Sequence, residues 1–186
     1  MRNLTLLCLA GLAVLVVGCN GSAPQPSPPP APAAPAAQED PATPAAKAAP
    51  EIEAAYWLNS DPLTLQGLRG KIVVLEFWAT WCPPCRQTIP HLVALHKKTA
   101  ERGVVIVSLT DEPRQEVEPF AKELAMTYAI GGGSKSGATY GVQGIPHAFI
   151  IDPSGAIVWE GHPMAGMAEV LELQLKKTPP LAGGAK

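Results

Sequence analysis

Residues 20–50 contain no aromatic and no branched apolar side chain; they are almost entirely Ala and Pro with scattered Ser, Gln, Glu and Asp. Such a stretch cannot bury enough apolar surface to offset the entropy of ordering its backbone. It is expected to be a tether, and residues 51–186 must supply whatever packed core the chain has. Pro-rich chain favours extended polyproline II geometry at about 3.1 Å per residue, so the tether could carry a domain roughly 90 Å from its point of attachment.

Ahead of the tether, Arg2 precedes an apolar run over residues 4–17. This is shorter than the roughly 20 residues a bilayer span needs, but it suits the hydrophobic region of a secretory signal. The run ends in Val16-Val17-Gly18-Cys19, which resembles the lipobox of bacterial lipoproteins, where the signal is cleaved before a cysteine that then carries lipid. That resemblance implies a signal peptide over 1–18, a lipidated Cys19 with its linker over 19–50, and a folded domain over 51–186. The domain would sit on the periplasmic side of the cell envelope, anchored to membrane by Cys19. Asn20 stands where many Gram-negative lipoproteins retained at the inner membrane carry Asp, which leaves the outer membrane open.

A formal net charge of -2 without a Lys/Arg run gives no footprint for nucleic acid, whose binding depends on neutralising phosphates. The cysteines are more informative. Cys8 falls in the signal and Cys19 at the lipid site, so Cys82 and Cys85 are the pair left to the domain. A disulfide stabilises mainly by restricting the unfolded chain, and a loop of two residues restricts almost nothing, so this pair points to chemistry.

From residue 51 onward strand-like and helix-like segments alternate. Ile72-Val73-Val74-Leu75-Glu76-Phe77-Trp78 and Val104-Val105-Ile106-Val107-Ser108-Leu109 are runs of the kind found in sheets covered on both faces. Residues 83–102 read as a helix with Ile89, Leu92, Val93 and His96 near one face with Cys85, interrupted by Pro90. A second helix is expected over 113–126 with Val117, Phe120, Ala121 and Leu124 inward, and Gly131-Gly132-Gly133 then reads as a loop. Ala148-Phe149-Ile150-Ile151 and Ala156-Ile157-Val158-Trp159 flank the turn-forming Asp152-Pro153-Ser154-Gly155 as a hairpin. An amphipathic helix over 167–177 closes an α/β sheet with a parallel part and an antiparallel edge.

Trp81-Cys82-Pro83-Pro84-Cys85 lies where the first central strand gives way to a helix. There, backbone N–H groups and the helix dipole stabilise an anion, so Cys82 should be the more acidic, attacking thiol. Cys85, one turn later, lies on the same face, within pairing distance. Structural zinc takes four ligands, and no second cysteine pair exists. Neither proline offers an N–H to a Cys82 thiolate, which favours a reductant or isomerase over a strong oxidant.

The run from Phe77 through Cys85, with Gly144-Ile145-Pro146 and Phe149-Ile150-Ile151-Asp152, resembles the TlpA/ResA-type branch of the thioredoxin superfamily over roughly residues 57–177. The resemblance implies a thioredoxin-like α/β fold, a central mixed sheet flanked by helices with an N-terminal β extension, and a redox-active Cys82-Cys85 disulfide without a cofactor. It implies a cis Pro146 opposite the cysteines and substrate contacts from Trp81, Pro83, Ile145 and Pro146. Glu76 matches the buried acid that shuttles a proton for the second cysteine, and desolvation would raise its pKa as that role requires. Thr88 departs from relatives that carry a glutamate three residues after the second cysteine, which would leave Glu76 to act alone. His147 replaces a small hydroxyl residue, and with Cys82 and Cys85 it offers an alternative, a soft Cu(I) site of a copper-binding chaperone. A peroxidase is disfavoured, since Ala79-Thr80-Trp81 before Cys82 does not fit the motif of that family, which places Pro and Thr before its reactive cysteine. The expected activity is thus protein-disulfide reduction on exported proteins, supplied by an upstream membrane or periplasmic electron donor. Of the two flanking tryptophans, one is expected in the core and the other on the rim near Cys82.

Overall fold

The structure is a computed structural model and describes residues 47–178. The expected signal peptide, the lipidated Cys19 and nearly all of the linker lie outside the described residues. Among the described residues no helix is long and apolar enough to cross a membrane.

The first central run forms β2 (Ile72–Phe77), every residue of it buried. It pairs in parallel with β3 (Val104–Leu109), which pairs in parallel with β4 (Ala129–Gly132). On the other side of β2 lies the hairpin of β5 (His147–Ile151) and β6 (Ile157–Gly161), antiparallel throughout. With β1 (Tyr56–Leu58) antiparallel on β4, the sheet order is β1-β4-β3-β2-β5-β6. The helices are α1 (Pro83–Thr99), α2 (Arg114–Glu123), the short α3 (Ser136–Thr139) and α4 (Met167–Lys177).

Strand side chains alternate between faces, so the sheet carries two cores. One face sets Val74, Ile106, Ile130 and Ile150 against Ile89 and Leu92 of α1, Val117 and Phe120 of α2, and Leu171 of α4. The other sets Val73, Leu75, Phe77, Val107 and Phe149 against Ile52, Leu65, Leu68 and Tyr140. Each fully buried aliphatic or aromatic side chain contributes about 1.5–3 kcal/mol, so the central strands are the most firmly held part of the molecule. The same alternation assigns Glu76 to the face of Val74, beneath α1.

The glycine triplet does not read as expected. Gly131 and Gly132 belong to β4, opposite Trp57 and Tyr56 of β1, and Gly133, at φ 63°, makes the turn. A Cβ on Gly132 would overlap the Tyr56 ring, and one on Gly131 would stand 2.7 Å from a Leu109 methyl, so close approach, not a loop, demands glycine here. The helix read over 83–102 continues through Pro90, ends as α-helix at Thr99 and finishes in a 3-10 turn over Ala100–Arg102. α2 stops at Glu123, so Leu124 is its C-cap and no longer a helical residue, though it still packs against the core as expected.

Candidate functional site

β2 delivers the chain to the edge of the sheet, Trp78 to Trp81 cross over, and α1 starts at Pro83. The prolines at its first two positions suit a helix start, where an N–H would have no intrahelical partner. Cys82 is the N-cap and forms a disulfide with Cys85, their Cα atoms 5.3 Å apart. The Cys85 N–H donates to Cys82 Sγ at 3.2 Å, the donor that the two prolines leave in place. Cys85 has no solvent exposure and Cys82 is 2 % exposed. Trp81, beside them, is 70 % exposed and caps the rim, whereas Trp78 is buried against Phe120 with ring centroids 5.5 Å apart.

The loop before β5 brings up the opposite wall. The Ile145–Pro146 peptide is cis, and the Ile145 carbonyl oxygen lies 3.7 Å from Cys82 Sγ. A cavity of about 320 Å³ opens alongside, with Trp81, Ile145, Phe77, Asp111 and Lys135 in its lining. Pro83 is exposed at the start of α1.

Behind the disulfide, Glu76 is fully buried. Ser108, its cross-strand partner on β3, donates its hydroxyl to Oε2 at 2.5 Å. Thr88, also buried, has Oγ1 3.5 Å from Oε1 and donates its proton to the Cys85 carbonyl at 2.9 Å. With that proton committed, a neutral Glu76 can in turn donate to Thr88 Oγ1. Loss of hydration pushes the Glu76 carboxyl up to about 7, against the opposing pull of the Ser108 and Thr88 hydroxyls. Tyr128 is buried on the same face, and burial, reinforced by the nearby Glu76, pushes its hydroxyl well above the usual range.

Of the residues singled out in the sequence, the structure brings Cys82, Cys85, Glu76, Trp81, Ile145 and Pro146 together around one site. Sequence reasoning gave three further contributors no part in it. Thr88 is a hydroxyl link between Glu76 and the turn holding Cys85; its place three residues after Cys85, on the same helical face, was the available signal. Glu112 accepts hydrogen bonds from Thr80 N–H at 2.7 Å and the Thr80 hydroxyl at 2.6 Å. Arg86 donates to the Thr80 carbonyl at 3.2 Å while lying over the Phe120 ring. The Glu112–Thr80 bonds and the Arg86–Phe120 stacking join distant parts of the chain and leave no local pattern. His147 opens β5 opposite Phe77 and packs its ring on Phe149 at 5.0 Å. Among the described residues no three metal-binding side chains gather, so Cys82, Cys85 and His147 are not assembled as a ligand set.

Fold and site together define a thioredoxin-like protein with a vicinal cysteine pair at a helix N-terminus, facing a cis-proline loop. The chain belongs to the AhpC/TSA family, whose pattern it matches over residues 45–160. It is 38 % identical over 104 residues to the thiol-disulfide oxidoreductase ResA of Bacillus thuringiensis strain Al Hakam, covering 54 % of this chain and 60 % of that protein. The chain thus spans less than two thirds of the length of that relative. The thiol:disulfide interchange protein HelX of Rhodobacter capsulatus is 34 % identical over 143 residues, 75 % of this chain and 78 % of HelX. Among solved structures, a thiol:disulfide interchange protein of the thioredoxin family from Chlorobium tepidum superposes with a TM-score of 0.59 at 28 % identity, over 69 % of this chain and 96 % of that one.

Proposed function

We propose that this chain is an extracytoplasmic protein-disulfide reductase, tethered to the cell envelope through Cys19. The observation that carries the reading is the Cys82–Cys85 disulfide at the N-terminus of α1, with the Ile145 carbonyl 3.7 Å from Cys82 Sγ and Glu76 buried behind it. In the reduced protein the Cys82 thiolate attacks one sulfur of a substrate disulfide, and the other substrate sulfur leaves as a thiolate and takes up a proton. Cys85 then gives its proton to Glu76 and attacks Cys82 Sγ, which restores the protein disulfide and releases the second substrate thiol. Two electrons pass to the substrate, and a donor outside the domain must return them. Trp81, Pro83, Ile145 and Pro146 border the place where the substrate chain would lie. The relatives named for thiol-disulfide exchange support this chemistry, and the apolar run ahead of Cys19 supports an exported, lipid-anchored chain.

Replacement of Cys85 by Ala should trap covalent complexes with exported proteins through Cys82, released by reductant and absent from a Cys82→Ala, Cys85→Ala double variant. Trapping that persists without Cys82 would overturn the reading. Fatty-acid labelling should be lost in Cys19→Ala, and labelling that survives would rule out the anchor.

A further inference from the structure

Glu112 lies in the turn after β3 and is 6 % exposed, yet among the described residues its carboxylate meets no cation. The ion pairs among the described residues join Arg102 to Glu172 and Glu118 to Arg114 and Lys122. Its oxygens act as acceptors throughout: Oε2 takes Thr80 N–H at 2.7 Å and the Thr110 hydroxyl at 3.0 Å, and Oε1 takes the Thr80 hydroxyl at 2.6 Å. The turn itself is fixed, since the Glu112 carbonyl accepts the Tyr56 hydroxyl at 3.0 Å and Gly133 N–H at 3.1 Å. Thr80 is held from its other side by Arg86 through its carbonyl. A buried carboxylate without a cation partner is costly to desolvate, and the hydrogen bonds that offset that cost here centre on the residue two positions before Cys82.

We propose that Glu112 is a positioning residue for Cys82: it clamps the turn that presents the sulfur at the start of α1, and its negative charge opposes the Cys82 thiolate. This rests on the reading of Cys82 as the attacking thiol. Thr80 stands two positions before Cys82, which puts charge and sulfur on the order of 10 Å apart. Repulsion at that range in a protein interior corresponds to a factor of roughly ten in the thiolate-to-thiol ratio. When two glutathione thiols reduce the Cys82–Cys85 disulfide they become one glutathione disulfide, and the protein gains two electrons and two protons, less any proton that Cys82 loses on ionising. A charge that disfavours that thiolate raises the free energy of the reduced protein and makes it a stronger electron donor.

The test compares Glu112→Gln, Glu112→Asp and Thr80→Val in the full chain. Cys82 ionisation is followed by thiolate absorbance in the Cys85→Ala background, and the redox equilibrium with glutathione is measured with both cysteines present. Glu112→Gln should raise the Cys82 thiolate-to-thiol ratio about tenfold at a given pH and, at a pH where the thiolate predominates, move the glutathione equilibrium toward reduced protein by up to the same factor, about 30 mV for a two-electron couple. Thr80→Val and Glu112→Asp keep the charge, so they should slow attack on a disulfide with thiolate populations within about twofold of wild type. An unchanged population in Glu112→Gln, or equal shifts in Gln and Asp, overturns the proposal. If Glu112→Gln does not fold, wild-type attack rates in both other variants overturn it. Mapping alkylation in the same samples separates the two claims. Cys85 labelling first defeats the functional reading, whereas Cys82 labelling first with an inert Glu112→Gln defeats this one alone.

Discussion

Glu76 combines a structural cost with a chemical use, and both can be measured. Its folded value of about 7 exceeds the ordinary 4.5, so the native state binds its proton more tightly than the unfolded chain does. The sign follows: this stabilisation is fully present below pH 4.5 and is lost as pH rises toward about 7, by roughly 3 kcal/mol. Glu76→Gln should therefore be more stable than wild type at pH 8 and nearly equal to it at pH 5, as followed by urea unfolding across that range. The amide can still accept from Ser108 and donate to Thr88. Proton transfer from Cys85 needs the ionised carboxylate, so resolution of a mixed disulfide should gain rate in wild type as pH passes about 7. Stopped-flow traces of Glu76→Gln should show that step slowed and the inflection gone, with the first attack little changed. A parallel loss in both steps would assign Glu76 to packing alone. Thr88→Val, which removes the hydroxyl between Glu76 and the Cys85 turn while keeping the shape, should slow resolution severalfold. Thr88→Ser should restore it, and an unaffected Thr88→Val would remove Thr88 from the proton path.

At the scale of elements, the site depends on an edge that local sequence disguises. Gly132 lets the Tyr56 ring lie flat on β4, and that ring carries the hydroxyl bonded to the Glu112 carbonyl, so a three-residue strand is coupled to the turn holding Thr80. Gly132→Ala should cost about 1–3 kcal/mol by displacing the ring, read as a lower urea midpoint at unchanged slope. A drop of less than a few tenths of a kcal/mol would mean that the ring relaxes freely. These contacts also show what the sequence could carry. β2, β3, α1, the hairpin and α4 were legible because their apolar periodicity is strong and their ends are marked by Pro, Gly and Asp. β4 was read as a loop because three glycines break structure by propensity, while the reason for them, an aromatic ring from residue 56, lies far away in the chain. The cysteine pair, its acid and its proline loop were legible through motifs. Glu112 was not, since its contacts with Thr80 exist only once β2 and β3 lie side by side.

For the whole molecule, the open quantity is the direction of electron flow. A thiolate at Cys82 would find few backbone donors. Pro83 and Pro84 have no N–H, the Cys85 N–H stands at 3.2 Å, and beyond these only later amides and the dipole of α1 remain. The Glu112 carboxylate sits on the other side of the same loop. Reduced protein with a weakly stabilised thiolate returns to the disulfide readily, which is the behaviour of an electron donor. Thioredoxin and DsbA are separated by about 150 mV, roughly 7 kcal/mol for two electrons, so even a partial move along that scale decides which partner is reduced. Equilibration in glutathione buffers, followed by fluorescence, should place the couple near the thioredoxin value of about -270 mV. Trp81 is 70 % exposed and adjoins Cys82, so Trp81→Phe should remove most of the redox-dependent signal without moving the midpoint far. A potential near -120 mV, the DsbA value, would make the protein an oxidant and show that the α1 dipole outweighs both the missing donors and the buried charge.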